Sequence, residues 1–333
     1  MATVVVDEQG SHIQYKTNQL IITSKDDNLS WSIPKMNIER LLIVGRTTLA
    51  QSAMDFLLDA SIPTHFATTS GCYKGQLCGM EGKNVFARMK QYERYANPAY
   101  RNGLARVIVR QKVNNLRYFL AKHNRYHENR VIEDAIVQIK ATLQGLDKAT
   151  NTDEIRGIEG ACAATYFQAF GSIFEDREFQ FRKRSRRPPL DPINAMLSLG
   201  YTVLLAEVIT ALQSTGLDAY VGYLHSAEYG RPSLACDLQE EFRFVVDELV
   251  VKLVNLKQVK AESFEYQEDG AVILTEPARE VFYRAFERKI RGGTIYDGKR
   301  HSYRRIIQQQ AQKLSKSLFE SEPSYQPFVR PQN

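Results

Sequence analysis

KNVFARMKQYERYAN, residues 83–97, marks the place where the chain changes period. Upstream, TVVVD, HIQYK, QLIITS and LLIVG are short β-branched or alternating runs separated by Gly, Asn and Asp, which is the pattern of strands. One helix interrupts them: in TTLAQSAMDFLLDAS, Leu49, Ala53, Phe56 and Leu57 fall at helical spacing, and IPTHFAT then resumes an extended pattern. From Asn84 onward the spacing is near 3.6 residues. GLARVIVRQKVNNLRYFLAKHN, the run around EIRGIEGACAATYFQAF, GYTVLLAEVITALQS, LQEEFRFVVDELVVKLVNL and PAREVFYRAFERKI all read as amphipathic helices. The expected fold is α+β: a small β-rich N-terminal domain over residues 1–83, then a larger, mainly α-helical domain over 84–320. SEPSYQPFVRPQN, residues 321–333, is polar and proline-containing and reads as a loose tail.

At 333 residues, 43% hydrophobic and 25% charged, the chain can bury a real core. Its first residues, MATVVVDEQGSH, lack a basic and then apolar leader, and its most apolar run is short and interrupted by Glu207. A cytoplasmic protein with no membrane segment is expected. Cys72, Cys78, Cys162 and Cys236 form no CxxC pair and read as free thiols. Charge is unevenly spread. Between Arg284 and Arg305 eight Lys/Arg face only Glu287 and Asp297, and RKRSRR places Arg182, Lys183, Arg184, Arg186 and Arg187 in six residues without an acid. Such clusters suit a polyanion, although a solvated basic face has the same composition.

Three residues have the makings of a metal site. At 100° per residue Glu159 shares a stripe with Ile155, Cys162 and Tyr166, and a carboxylate in an apolar face needs a cation, a metal or a proton. An internal pair with Arg156 or Arg231 would also satisfy it. The neighbouring Gly157, Gly160 and Ala161 would admit a close backbone or ligand. Further on, GYLHSAEYGRPSLACDLQEEFRF, residues 222–244, carries His225, then Arg231-Pro232-Ser233 as a helix entry with Ser233 as N-cap, and one helix with Leu234, Leu238, Phe242, Val245 and Leu249 as its core stripe. Asp237 and Glu240, three residues apart, point the same way. The helix dipole alone could account for Asp237, and a lone His is as readily a core residue as a ligand. Together a helix-borne Glu, a His and a helix-borne carboxylate offer mixed oxygen and nitrogen ligation that favours Mg²⁺ or Mn²⁺ over zinc. Beside two basic clusters, this reads as metal-assisted phosphodiester chemistry.

The order of these motifs resembles the CRISPR-associated integrase-nuclease family that carries out spacer acquisition. RGIEGACAATYF (156–167) resembles its first catalytic helix, RSRRPPLDPINAMLSLGYTVL (184–204) its basic Arg-Pro-Pro turn and following helix, and LHSAEYGRPSLACDLQEEFR (224–243) its His, Gly-Arg, Ser-Leu and Asp-Leu-x-Glu motif. The resemblance implies Glu159, His225 and Glu240 as ligands of one Mg²⁺ or Mn²⁺ ion, with Asp237 as a further catalytic acid that is ligand-supporting or substrate-facing. Many relatives carry Asp where this chain has Glu240. The resemblance further implies a DNA endonuclease and integrase that joins spacer 3′-hydroxyl ends into the CRISPR repeat by transesterification. DNA would be held by Arg182, Lys183, Arg184, Arg186, Arg187, Arg231, Lys289, Arg291 and Arg300. A homodimer joined through the β-rich domain, and the small CRISPR-associated "Cas two" protein, are the implied partners. The rival reading is a non-catalytic nucleic-acid-binding scaffold.

Overall fold

A computed structural model describes every residue except 1, 26–28, 70–71, 80–83, 126–127, 177 and 332–333. The expected boundary at residue 83 therefore lies outside the described residues. The N-terminal part comprises β1 (Ala2–Val6), β2 (Ser11–Lys16), β3 (Gln19–Thr23), β4 (Ser30–Pro34), β5 (Ile38–Val44), β6 (Thr47–Leu49), α1 (Gln51–Asp59), β7 (Thr64–Ala67) and β8 (Tyr73–Leu77). These strands form two four-stranded sheets, β1-β5-β7-β8 and β4-β3-β2-β6. The LLIVG run supplies β5, parallel to both β1 and β7. Its alternation sorts its side chains: Leu41 and Ile43 pack with Ile13, Leu20 and Phe56, whereas Leu42 and Val44 join the core of the helical part. A strand covered on both faces has no polar positions, so it reads as an unbroken apolar run. Thr47–Leu49 is β6, parallel to β2, rather than the first turn of a helix; α1 starts only at Gln51.

The remainder is mainly helical: α2 (Val85–Ala96), α3 (Pro98–Asn124), α4 (Arg130–Gln144), α5 (Thr152–Phe170), α6 (Pro192–Ser214), α7 (Ser233–Gln239), α8 (Arg243–Asn255), then a hairpin of β9 (Phe264–Tyr266) and β10 (Val272–Leu274), α9 (Glu276–Arg291), a second hairpin of β11 (Gly293–Tyr296) and β12 (Lys299–Ser302), and α10 (Tyr303–Ser317). The observed architecture is thus the α+β arrangement expected. Helices α4 and α10 are additions to that reading, although Ile132, Ala135, Ile139 and Leu143 line one buried face of α4 at helical spacing. Helix α6 is buried on nearly every side and forms the axis of the core. Among the described residues it alone is long and apolar enough to cross a membrane, and 83% of its most apolar window lies inside the fold.

The described part of the expected loose tail, residues 321–331, is packed against the helices. Tyr325 and Phe328 are buried, and Phe328 stacks on Phe242 at 5.3 Å between ring centroids. Glu241 accepts hydrogen bonds from Tyr325 Oη and the Phe328 N–H, while Asn115 of α3 donates to the Phe328 carbonyl and accepts from the Arg330 N–H. Two buried aromatic residues three positions apart and satisfied backbone groups overcome the polar composition.

The β-rich part is fastened to the helices by a buried ion cluster. Glu207, the acid inside the apolar run of α6, faces Arg40 of β5 and Arg304 of α10, and Arg304 also reaches Glu287 and Glu39. Burial opposes ionisation of Glu207, but Arg40 and Arg304 outweigh it and hold the carboxyl at about 2. A folded pKa below the free value stabilises the fold at pH above about 4.5, and that contribution, ~3 kcal/mol, drains away as pH falls toward 2. Glu207→Gln should therefore cost roughly 3–5 kcal/mol at pH 7, because two buried guanidinium groups lose their shared partner. Its stability should also depend less on pH below 4.5 than that of the wild type. Urea melts at pH 7 and pH 3 check both; equal acid limbs would refute the assignment.

Candidate active site

His225 lies in the connection between α6 and α7, and its ring is fixed by Asp237. Oδ2 of Asp237 accepts the backbone N–H groups of Tyr223 and Leu224, and Oδ1 accepts the His225 N–H at 3.0 Å and lies 2.7 Å from His225 Nδ1. An acceptor already taking three N–H groups requires the proton on Nδ1, so Nε2 presents its lone pair to the cavity. Gly222 lets the loop lie this close: a Cβ there would stand 2.6 Å from the Ser233 carbonyl carbon and 2.8 Å from Asp237 Oδ2. Ser233 is not the N-cap expected; its hydroxyl donates to the Ser226 carbonyl, further tying the loop to α7. Loop backbone, and not the helix dipole alone, accounts for Asp237. Asp237→Ala should leave three buried N–H groups unpaired, costing roughly 3 kcal/mol or more, and let the imidazole turn, weakening divalent-cation affinity ~10–100-fold. Thermal melting with a Mn²⁺ binding isotherm tests this, and an unchanged isotherm would contradict it.

The expected single helix through Asp237 and Leu249 is broken at Glu240–Phe242, and the break separates two adjacent acids. Glu241 turns to the C-terminal segment, where burial pushes its carboxyl up to about 7. Glu240 turns to the cavity: its Oε1 is 4.0 Å from His225 Nε2 and 3.4 Å from Arg243 Nη1. Glu159, on α5, meets it there. Neither Arg156 nor Arg231 pairs with Glu159; its partner is Lys112 of α3, whose ammonium also lies 2.5 Å from Glu240 Oε2. Burial would raise the Glu240 pKa, but Lys112 and Arg243 hold the carboxyl well below the usual range. Gly157 and Gly160 face open space rather than the site.

Lys112 is the residue that sequence reading missed. Its signal was present: Leu104, Ile108, Lys112, Asn115 and Phe119 succeed one another on the buried face of α3, and a lysine in such a row demands a buried acid. The chemistry of the donors, two carboxylates and one oriented imidazole around a point already holding positive charge, fits a divalent cation. Among the described residues no three such donors are closed around one point as they stand, because the ammonium separates them.

These groups line a cavity of about 760 Å³, and its wall is basic. Arg184, Arg186, Arg187 and Arg231 line it, so the RKRSRR run belongs to the site, while Arg182 and Lys183 lie exposed outside it. Arg184 is anchored, donating to Asn194 Oδ1 and Ser198 Oγ. The second cluster divides. Lys289 and Arg300 line a separate cavity of about 500 Å³ with Lys122, Lys252 and Arg288, although Lys289 is paired with Glu248. Arg291 lies outside it, 3.8 Å from Glu287, and Arg304 is consumed in the buried ion cluster. The cluster's formal charge thus overstates what faces solvent.

Fold and site together define an α+β protein with a carboxylate–histidine centre in a basic cleft. The chain belongs to the family described as CRISPR associated protein Cas1, whose profile matches residues 4–288. It is 37% identical over 299 residues to a CRISPR-associated endonuclease Cas1 of Thermus thermophilus, covering 89% of this chain and 87% of that one. A solved Cas1 structure from Thermotoga maritima superposes with a TM-score of 0.83 at 28% identity, covering 99% of both chains. A Cas6-RT-Cas1–Cas2 complex contains a similar chain segment, with a TM-score of 0.85 at 25% identity over 99% of this chain and 36% of that one.

Proposed function

We infer that the protein is a divalent-cation-dependent DNA endonuclease and integrase of CRISPR adaptation, joining spacer 3′-hydroxyl ends to the repeat by transesterification. The observation that supports this reading is that Glu159, His225 and Glu240 line one arginine-walled cavity, with Lys112 touching both carboxylates and His225 Nε2 4.0 Å from Glu240 Oε1. In this proposal those three residues hold the cation, Mg²⁺ or Mn²⁺, and Asp237 is a positioning residue that orients His225. A bound cation there would lower the pKa of the attacking hydroxyl and stabilise the charge gathering on phosphorus. The chain's own arginines do the rest: Arg186, Arg187 and Arg231 hold the phosphodiester against the site. In joining, the incoming 3′-oxygen bonds to phosphorus, the repeat's own 3′-oxygen departs, and the attacking hydroxyl's proton passes to solvent as the leaving oxygen takes one up. Water in place of the hydroxyl gives cleavage.

Lys289 and Arg300 extend the DNA track in this reading. The unit up to residue 83 serves dimerisation, residues 84–320 carry the catalytic centre, Cas2 is the partner, and the complex works in the cytoplasm. Incubating the protein, with and without Cas2, with a supercoiled repeat plasmid and a short duplex in Mn²⁺ or Mg²⁺ should yield duplex joined to plasmid. Binding without strand scission would instead identify a scaffold. Light scattering at micromolar concentration should report a dimer, and a monodisperse monomer would count against two-ended joining.

A further inference from the structure

We propose that Lys112 is the counter-cation of its own metal site: its ammonium occupies the place between Glu159 and Glu240 that a divalent cation takes, so cation binding must expel it, and the side chain thereby sets the affinity for metal. The inference rests on the reading of Glu159, His225 and Glu240 as ligands. Lys112 projects from α3 with a side chain only 6% exposed, and its Nζ touches Glu159 Oε1 and Glu240 Oε2 at once. Glu240 Oε2 is buried and has no properly aligned hydrogen bond, so the ammonium is its electrostatic partner alone. Two carboxylates meeting in a buried cleft repel one another, and a single positive charge between them holds them together in the cation-free protein.

A divalent ion bound to the same two oxygens at 2.0–2.6 Å leaves no room for an ammonium in contact with both. The displaced side chain has little to receive it. Among the described residues, the only acid lining the cavity apart from Glu159 and Glu240 is Glu228, which already lies 3.2 Å from Arg231. Expulsion therefore costs an ion pair that is not recovered, and that cost is subtracted from metal affinity. Lys112 acts on the ion through the two carboxylates and is in this sense a positioning residue.

Calorimetric titration of Mn²⁺ into metal-stripped protein tests the inference on wild type, Lys112→Met, Lys112→Arg and Glu159→Gln. Lys112→Met should melt at a lower temperature yet bind Mn²⁺ about tenfold more tightly; Lys112→Arg, which restores the charge, should bind no more tightly than wild type. A merely structural lysine would lower the melting temperature without tightening the isotherm, and that result overturns the inference. Should Lys112→Met not fold, the wild type suffices: in protein carrying ¹⁵N-labelled lysine, the Lys112 ammonium resonance should shift with Mg²⁺, saturating at the concentrations that saturate the isotherm. A resonance unmoved by saturating Mg²⁺ overturns the inference equally. Glu159→Gln separates the two failures. If it binds Mn²⁺ as wild type does, the ligand reading falls and Lys112 with it; if it loses binding while Lys112→Met gains none, the ligand reading stands and only the role of Lys112 falls.

Discussion

Glu159→Gln, His225→Ala and Glu240→Gln should each lose Mn²⁺-dependent cleavage and joining by about a thousandfold or more, the several kcal/mol that a Lewis acid supplies to a phosphodiester transition state. None of the three should bind duplex DNA less tightly. Each substitution removes an acceptor, or a group that only holds the cation, from a cavity whose remaining wall includes Arg184, Arg186, Arg187 and Arg231. Taking negative charge out of a cleft that receives phosphates favours the polyanion, so the two Gln variants should hold DNA as well as the wild type or slightly better. Stability separates the variants in a way that a damaged fold would not reproduce. His225→Ala leaves the Lys112 pairs with Glu159 and Glu240 intact and should melt close to the wild type, whereas each Gln variant leaves the ammonium with one partner and should melt lower. Loss of activity in His225→Ala at an unchanged melting temperature would locate the defect in chemistry. Wild-type rates in any one variant at saturating Mn²⁺ would show that residue to be misassigned.

Much of this was legible because periodic patterns report burial. LLIVG was legible as a strand and GYTVLLAEVITALQS as a helix, although it took the fold to show that the strand is covered on both faces and that the helix is buried nearly all round rather than amphipathic. Glu159, His225, Asp237 and Glu240 were singled out as a set; Glu159, His225 and Glu240 line one cavity, and Asp237 lies buried behind His225. What stayed hidden was set by tertiary contact. The break after Gln239 leaves no proline or glycine behind, since LQEEFRF is a fair helical sequence; Glu241 is drawn away by Tyr325 and Phe328, which lie more than eighty residues downstream. For the same reason the final segment looks like solvent-exposed chain until Phe242 and Asn115 are placed beneath it. Lys112 was overlooked because helical spacing was scored for apolar residues, so the one charged member of a buried row passed as an interruption rather than as half of an ion pair. The charge between Arg284 and Arg305 misled in the opposite direction, because counting residues cannot tell a guanidinium buried against Glu207 from one awaiting a phosphate.

That distinction decides the salt dependence of DNA binding. If the track includes Arg186, Arg187 and Arg231 at the first cavity and Lys289 with Arg300 and a neighbour at the second, about six phosphates are neutralised. Affinity should then fall ~10³-fold between 50 and 200 mM salt, because each contact releases condensed counterions. Substituting Arg186, Arg187 or Arg300 with Ala should flatten the slope of log affinity against log salt by about one unit apiece. Lys289→Ala should do so less, since Lys289 begins paired with Glu248 and gives up that contact to reach a phosphate. Arg284 and Arg291 stand beside Glu280 and Glu287 outside both cavities, and their substitution should leave the slope unchanged. Arg304→Ala should lower the melting temperature sharply, through the orphaned Glu207, rather than act on the slope. Equal slope changes at all of these positions would mean that the basic residues act as a diffuse field, and the two cavities would lose their claim to be the DNA track.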